Sequence, residues 1–230
     1  ATHAMSAWGS GLITDLATRP QTLTQSEWND AVESSVTAWN QVTGSTMVMQ
    51  RIQGTATRQA GMSAGANDAH EVFWIMNESE YIQKVGAGAS GALGITFPYS
   101  TCGTPGEIAD ADVVMNGVGF DHWEGSCADV SLTEECNSVR SILTHELGHF
   151  IGLGHPCVNC DWAIMSAQAY YQPEAPLFND AETLRALYPG TPGGVGYGCT
   201  ATSQCNSGLC LTVGAASYCS QACTTSNDTC

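Results

Sequence analysis

The segment THELGHFIGLGHP, residues 144–156, constrains this chain more than any other. It holds three of the six histidines, with one glutamate between the first two. At 100° per residue, Val139, Ile142, Leu143, Leu147 and Phe150 share one broad face of a helix over 139–151, and that face must enter a core. His145 and His149 stand four residues apart, one turn above the other on a neighbouring face. Two imidazole nitrogens so placed can converge on one ion at roughly 2.0–2.1 Å. Glu146 projects beside the pair and can reach water on that ion without being a ligand. A catalytic zinc ion usually takes three protein ligands, so one is still missing. On a straight helix, a residue six positions past His149 lies too far along the axis. Gly152 tolerates positive φ, so the helix can stop there and the chain turn back. His155 then completes a three-histidine site and the fourth position stays open for water. The alternative is a helix with surface histidines and a glycine cap.

Composition bounds the setting. Six Lys/Arg against 22 Asp/Glu give a formal charge of −16, which repels phosphate backbones and argues against a nucleic-acid partner. Acidity of this kind serves solubility, or calcium binding. No run of 18 or more apolar residues is present, so no membrane span is expected. The start, ATHAMSAWGSG, lacks the basic and apolar regions of a signal peptide, and a mature or trimmed secreted form is expected. Eleven cysteines point to disulfides and an oxidising compartment. Cys102, Cys127, Cys136, Cys157 and Cys160 lie in the first 190 residues, and Cys199, Cys205, Cys210, Cys219, Cys223 and Cys230 in the rest. The odd total leaves at least one thiol unpaired, or paired outside this chain.

The segment YPGTPGGVGYG, residues 188–198, divides the chain. Expected are a catalytic domain over 1–190, a Gly/Pro linker over 191–198 and a disulfide-rich tail over 199–230. In the main domain, TQSEWNDAVESSVTAWNQVTG reads as a helix with Trp28, Val32, Val36 and Trp39 on one stripe and Gly44 as its C-cap. TMVMQRI, HEVFWIM, GALGITFPY and IADADVVMN read as extended. FNDAETLRALYPG reads as a terminal helix, capped by Asn179 with Glu182 closing a capping box. The class is α+β.

HELGHFIGLGH resembles the signature H-E-x-x-H-x-x-G-x-x-H of the metzincin metallopeptidases. The resemblance implies zinc held by His145, His149 and His155, with Glu146 as general base. It also implies a Met-containing turn under the metal, for which WAIMSA supplies Met165. Two positions on stands Ala167, where astacins and serralysins carry a tyrosine, and Pro156 follows the third histidine where astacins place a glutamate. ADADVVMN and DAETLRALY are closer to the matrixins, although the matrixin loop bearing structural zinc and calcium is not recognisable. The implied protein is a secreted, matrixin-like endopeptidase of bacterial type. Its fold would be a twisted mixed sheet with an active-site helix and a C-terminal helix. It would act as a monomer on protein or peptide substrates. GALGITFPY would be an edge strand pairing with substrate, and its alternating Leu93, Ile95 and Phe97 could equally be only a core face. Leu93, Tyr170 and Tyr171 would lie near the pocket, with core packing as the alternative for all three.

Several residues are set aside. His3, His70 and His122 lack ligand spacing. Asp110, Asp112, Asp121 and Glu124 could gather round calcium, without an EF-hand pattern to support it. Cys157 and Cys160 suit a local disulfide better than a redox or metal pair. Cys102 faintly resembles a cysteine-switch segment, but a structural disulfide fits its place better. Two other classes of function compete: a zinc-bearing, non-catalytic binding or adhesion module, and a zinc amidase acting on a cell-wall polymer. Glu146 speaks against the first, since structural zinc needs no such carboxylate.

Overall fold

The computed structural model describes residues 11–60, 69–100, 108–123, 137–156, 163–167, 173–213 and 216–220. The first elements are strand β1 (Leu12–Asp15), helix α1 (Gln25–Asn40) and strands β2 (Arg51–Gly54) and β3 (Glu71–Ile75). Helix α2 (Glu78–Val85) and strands β4 (Gly94–Ser100), β5 (Ile108–Asn116), β6 (His122–Trp123) and β7 (Asn137–Ser138) follow. Helices α3 (Val139–Phe150) and α4 (Phe178–Leu187) and a hairpin of β8 (Leu209–Val213) and β9 (Ala216–Ser220) complete the order. The protein is α+β, with a mixed five-stranded sheet in the order β2-β1-β3-β5-β4 and four α-helices among the described residues.

Helix α1 begins where its sequence demands. The Thr24 hydroxyl accepts from the Glu27 N–H and the Glu27 carboxylate accepts from the Thr24 N–H. Trp28, Val32, Val36 and Trp39 are buried, as their stripe requires. The Trp28 indole N–H donates to the Asp15 carbonyl and the Trp39 indole N–H to Thr144, so α1 is keyed to both the sheet and α3. The helix ends at Asn40 with Gln41 as its cap, earlier than the expected Gly44. In α4 the capping side chain is Asp180, which accepts from the Leu177 N–H; Asn179 and Glu182 lie inside the helix. A carboxylate three residues into the helix did the work assigned to a residue before it.

Strand β3 is buried along its whole length, so it reads as a continuous apolar run between two covered faces. One face carries the larger core, in which Val72, Trp74, Val113 and Met115 meet α1 and α3. On the other, Phe73, Ile75 and Val114 pack with Tyr81 and Val85 of α2. Helix α2 and strand β1 were absent from the sequence reading. At 8 and 4 residues they are too short for their periodicity to stand out. Within TMVMQRI only Arg51 and Ile52 join a ladder, alongside β1. Within GALGITFPY, β4 forms an edge strand: among the described residues it pairs, antiparallel, with β5 alone.

Residues 188–198 are ordered against the main body. The Gly190 N–H donates to the Gly44 carbonyl, and a Cβ on Gly44 would lie 2.5 Å from the Cα of Gly196. Beyond them the β8–β9 hairpin carries disulfides Cys199–Cys210 and Cys205–Cys219. Arg185 of α4 lies over the Tyr218 ring. Cys102, Cys127, Cys136, Cys157, Cys160, Cys223 and Cys230 fall outside the described residues.

Asp110, Asp112 and Asp121 are not gathered into a group able to hold an ion, and Glu124 falls outside the described residues. Asp110 meets the His70 Nδ1 at 2.8 Å, and Asp112 accepts from the Glu71 N–H. Burial, with Asp110 adding repulsion, pushes the Asp112 carboxyl up to about 8. A folded-state value above the unfolded one favours folding at low pH, and that contribution fades as pH rises toward about 8. Asp112→Asn should therefore gain stability relative to the parent as pH rises from 5 to 8.5. Urea denaturation at the two pH values checks this; a difference that does not change with pH would refute it.

Candidate metal centre

Helix α3 is set by its first turn. The Ser138 hydroxyl accepts from the Ser141 N–H, and β7, immediately before it, pairs with β6. Val139, Ile142, Leu143, Leu147 and Phe150 enter the core as their spacing requires. That leaves His145 and His149 on the flank, with ring centroids 4.8 Å apart.

The helix ends at Phe150 with Ile151 as its cap, and the chain turns at Gly152. There φ is +95°, the Gly152 N–H donates to the His149 carbonyl, and the Leu153 N–H donates back to the Gly148 carbonyl. This pair of bonds is a Schellman closure with glycine at its left-handed position. It reverses the chain and returns His155. The His155 Nε2 lies 3.0 Å from that of His149 and 3.2 Å from that of His145.

The opposite ring nitrogens decide what those close contacts mean. The His145 Nδ1 is 2.7 Å from the Ile164 carbonyl and the His149 Nδ1 is 2.8 Å from the Leu153 carbonyl. Carbonyl oxygens only accept, so both Nδ1 atoms carry hydrogen and both neutral rings aim an Nε2 lone pair inward. Burial, with repulsion from His149, lowers His145 to about 4, and burial also lowers His149 and His155, so all three favour the neutral form. Nitrogens about 2.0–2.1 Å from one tetrahedral ion would stand roughly 3.3 Å apart, close to the spacing seen. These three residues form a group that could hold a metal ion.

Behind the ligands the support is layered. Met165 is buried against α3 at Gly148, where an added Cβ would meet its sulfur at 2.1 Å. Met165 thus lies against the helix between His145 and His149, and a side chain at Gly148 would force it to shift. The Asp180 carboxylate accepts from the N–H groups of Ile164 and Met165. It thereby holds the peptide whose carbonyl orients His145. Sequence reasoning missed Asp180; its position three residues into a helix was the available signal.

Glu146 turns toward β4. Its carboxyl is buried, accepts at 2.6 Å from the Thr96 hydroxyl, and is pushed up to about 7 by burial, with the Thr96 contacts opposing. Leu93 does not share a face with Ile95 and Phe97. It packs on the larger core while they pack on the opposite one. Leu93 precedes β4, so the strand's alternation does not extend to it, and the positions against α3 are Gly94 and Thr96. Tyr170 and Tyr171 fall outside the described residues. His70 and His122 are hydrogen-bonded inside the fold, His122 to the Asn116 carbonyl. The chain matches no protein-family model and no curated protein.

Asp180→Asn should weaken metal binding, because an amide cannot accept both peptide N–H bonds without turning its own donor toward one. Loss of a supporting group of this kind costs about tenfold or more in affinity. Competition against a chromophoric chelator measures it; unchanged affinity in a folded variant would remove Asp180 from the site.

Proposed function

We propose that this protein is a secreted, zinc-dependent endopeptidase of the metzincin type, closest to the matrixins. The observation that carries the reading is the inward convergence of three imidazole nitrogens, two of them locked by backbone carbonyls, with a buried carboxylate adjacent in sequence. A purely structural zinc site would close its fourth corner with another side chain, and no further His, Cys, Asp or Glu joins this group among the described residues.

His145, His149 and His155 would hold the ion. Bound there, zinc supplies a Lewis acid that polarises a carbonyl and makes water acidic near neutral pH. Glu146 accepts the proton as water adds to the peptide carbonyl carbon, then delivers it to the departing amine. The outer edge of β4, which pairs with no strand among the described residues, would offer backbone donors and acceptors to an extended peptide. Disulfides in the tail favour an oxidising, extracellular setting, and no helix among the described residues is long and apolar enough to cross a membrane.

Glu146→Gln should keep one equivalent of zinc and lose turnover by roughly 10²–10⁴-fold. Peptide release from casein, read alongside metal analysis, tests this. Near-parental proteolysis by the zinc-loaded variant would overturn the role of Glu146. Proteolysis that survives exhaustive chelation would overturn the metal dependence.

A further inference from the structure

We propose that Thr96 is a positioning residue for the Glu146 carboxylate, and that Gly94 provides the space for that carboxylate to lie against β4. The proposal rests on the reading of Glu146 as the proton acceptor.

The register of β4 fixes both positions. Gly94 pairs with Met115 and Thr96 with Val113, and these two partners face the larger core beneath α3. Ile95 and Phe97 point the other way. Thr96, fifty positions before Glu146 in the chain, and Gly94, two residues earlier, are thus carried to it by an antiparallel ladder. The Thr96 hydroxyl lies 2.6 Å from the Glu146 Oε2 and 2.9 Å from the Glu146 carbonyl oxygen. The shorter contact has the length of a hydroxyl bond to a charged carboxylate. At Gly94 a Cβ would come within 2.8 Å of the Glu146 Cγ and 3.1 Å of its Oε1. Any larger residue there would push the carboxylate off its seat.

Threonine suits the task. Branching at Cβ restricts χ1, so the hydroxyl direction follows from the strand backbone. Glutamate has three side-chain torsions and no such restraint of its own. A buried carboxylate also needs a donor, and the Thr96 hydroxyl is the side-chain donor that reaches it among the described residues. Anchoring one oxygen leaves the other with a defined direction, which a group that must take and return one proton requires.

The test uses the zinc-loaded full chain with Thr96→Val, which keeps the shape and deletes the hydroxyl, and Thr96→Ser, which keeps the hydroxyl. Thr96→Ala serves as a second deletion should the valine variant not fold. The deletion should leave one equivalent of metal bound, lower kcat at least tenfold and leave KM within about twofold. Serine should recover most of kcat. Independently of activity, the metal-free protein is unfolded in urea with and without Glu146→Ala. The fall in midpoint caused by Thr96→Val should shrink by more than half once Glu146 is alanine. Parental kcat in the deletion variants, failure of serine to rescue, or the same midpoint loss in both backgrounds would each overturn the proposal. If the parent hydrolyses no peptide while the urea cycle shows coupling, the peptidase reading fails and the positioning contact stands.

Discussion

Three imidazole rings meet at one point, with the His155 Nε2 within 3.2 Å of the Nε2 atoms of His145 and His149, and several features of the structure hold them there. Two of the rings are pinned from behind by carbonyls of Ile164 and Leu153. Those carbonyls belong to segments that are themselves tied down, one through Asp180 and one through the Schellman closure at Gly152. Without a positive φ at Gly152 the chain would run on as helix and the third imidazole would leave the site. The site is therefore a consequence of how a helix ends, more than of how it runs.

The sheet supplies what the helix cannot. A five-stranded layer with α1 and α3 on one face sets the height of α3, and the Trp39 indole bond to Thr144 sets its position along the axis. The antiparallel edge strand β4 then places Gly94 and Thr96 against Glu146. The C-terminal segment closes over the far side, where Gly44 and Gly196 approach too closely for any side chain. Residues that look like a spacer by composition are here a packed joint.

What could be read directly from the residues is local. The faces of α1 and α3, the break at Gly152 and the clustering of His145, His149 and His155 all follow from spacings within about four residues, or from a glycine where the chain must reverse. What escaped is non-local or short. Thr96 meets Glu146 only through strand register, and Asp180 meets Ile164 across a stretch whose path no periodicity reveals. Leu93 precedes β4 and packs on the larger core, because the alternation of the strand begins only at Gly94. Helix α2 and strand β1 were missed because they are too brief to show a period.

The most direct test of the three-imidazole account is X-ray absorption on the zinc-loaded protein and on its His155→Ala variant. The account predicts a first shell of three imidazole nitrogens and one oxygen at about 2.0–2.1 Å, with one imidazole lost in the variant. An identical shell in the two proteins, or a parent shell with fewer than three imidazoles, would contradict it.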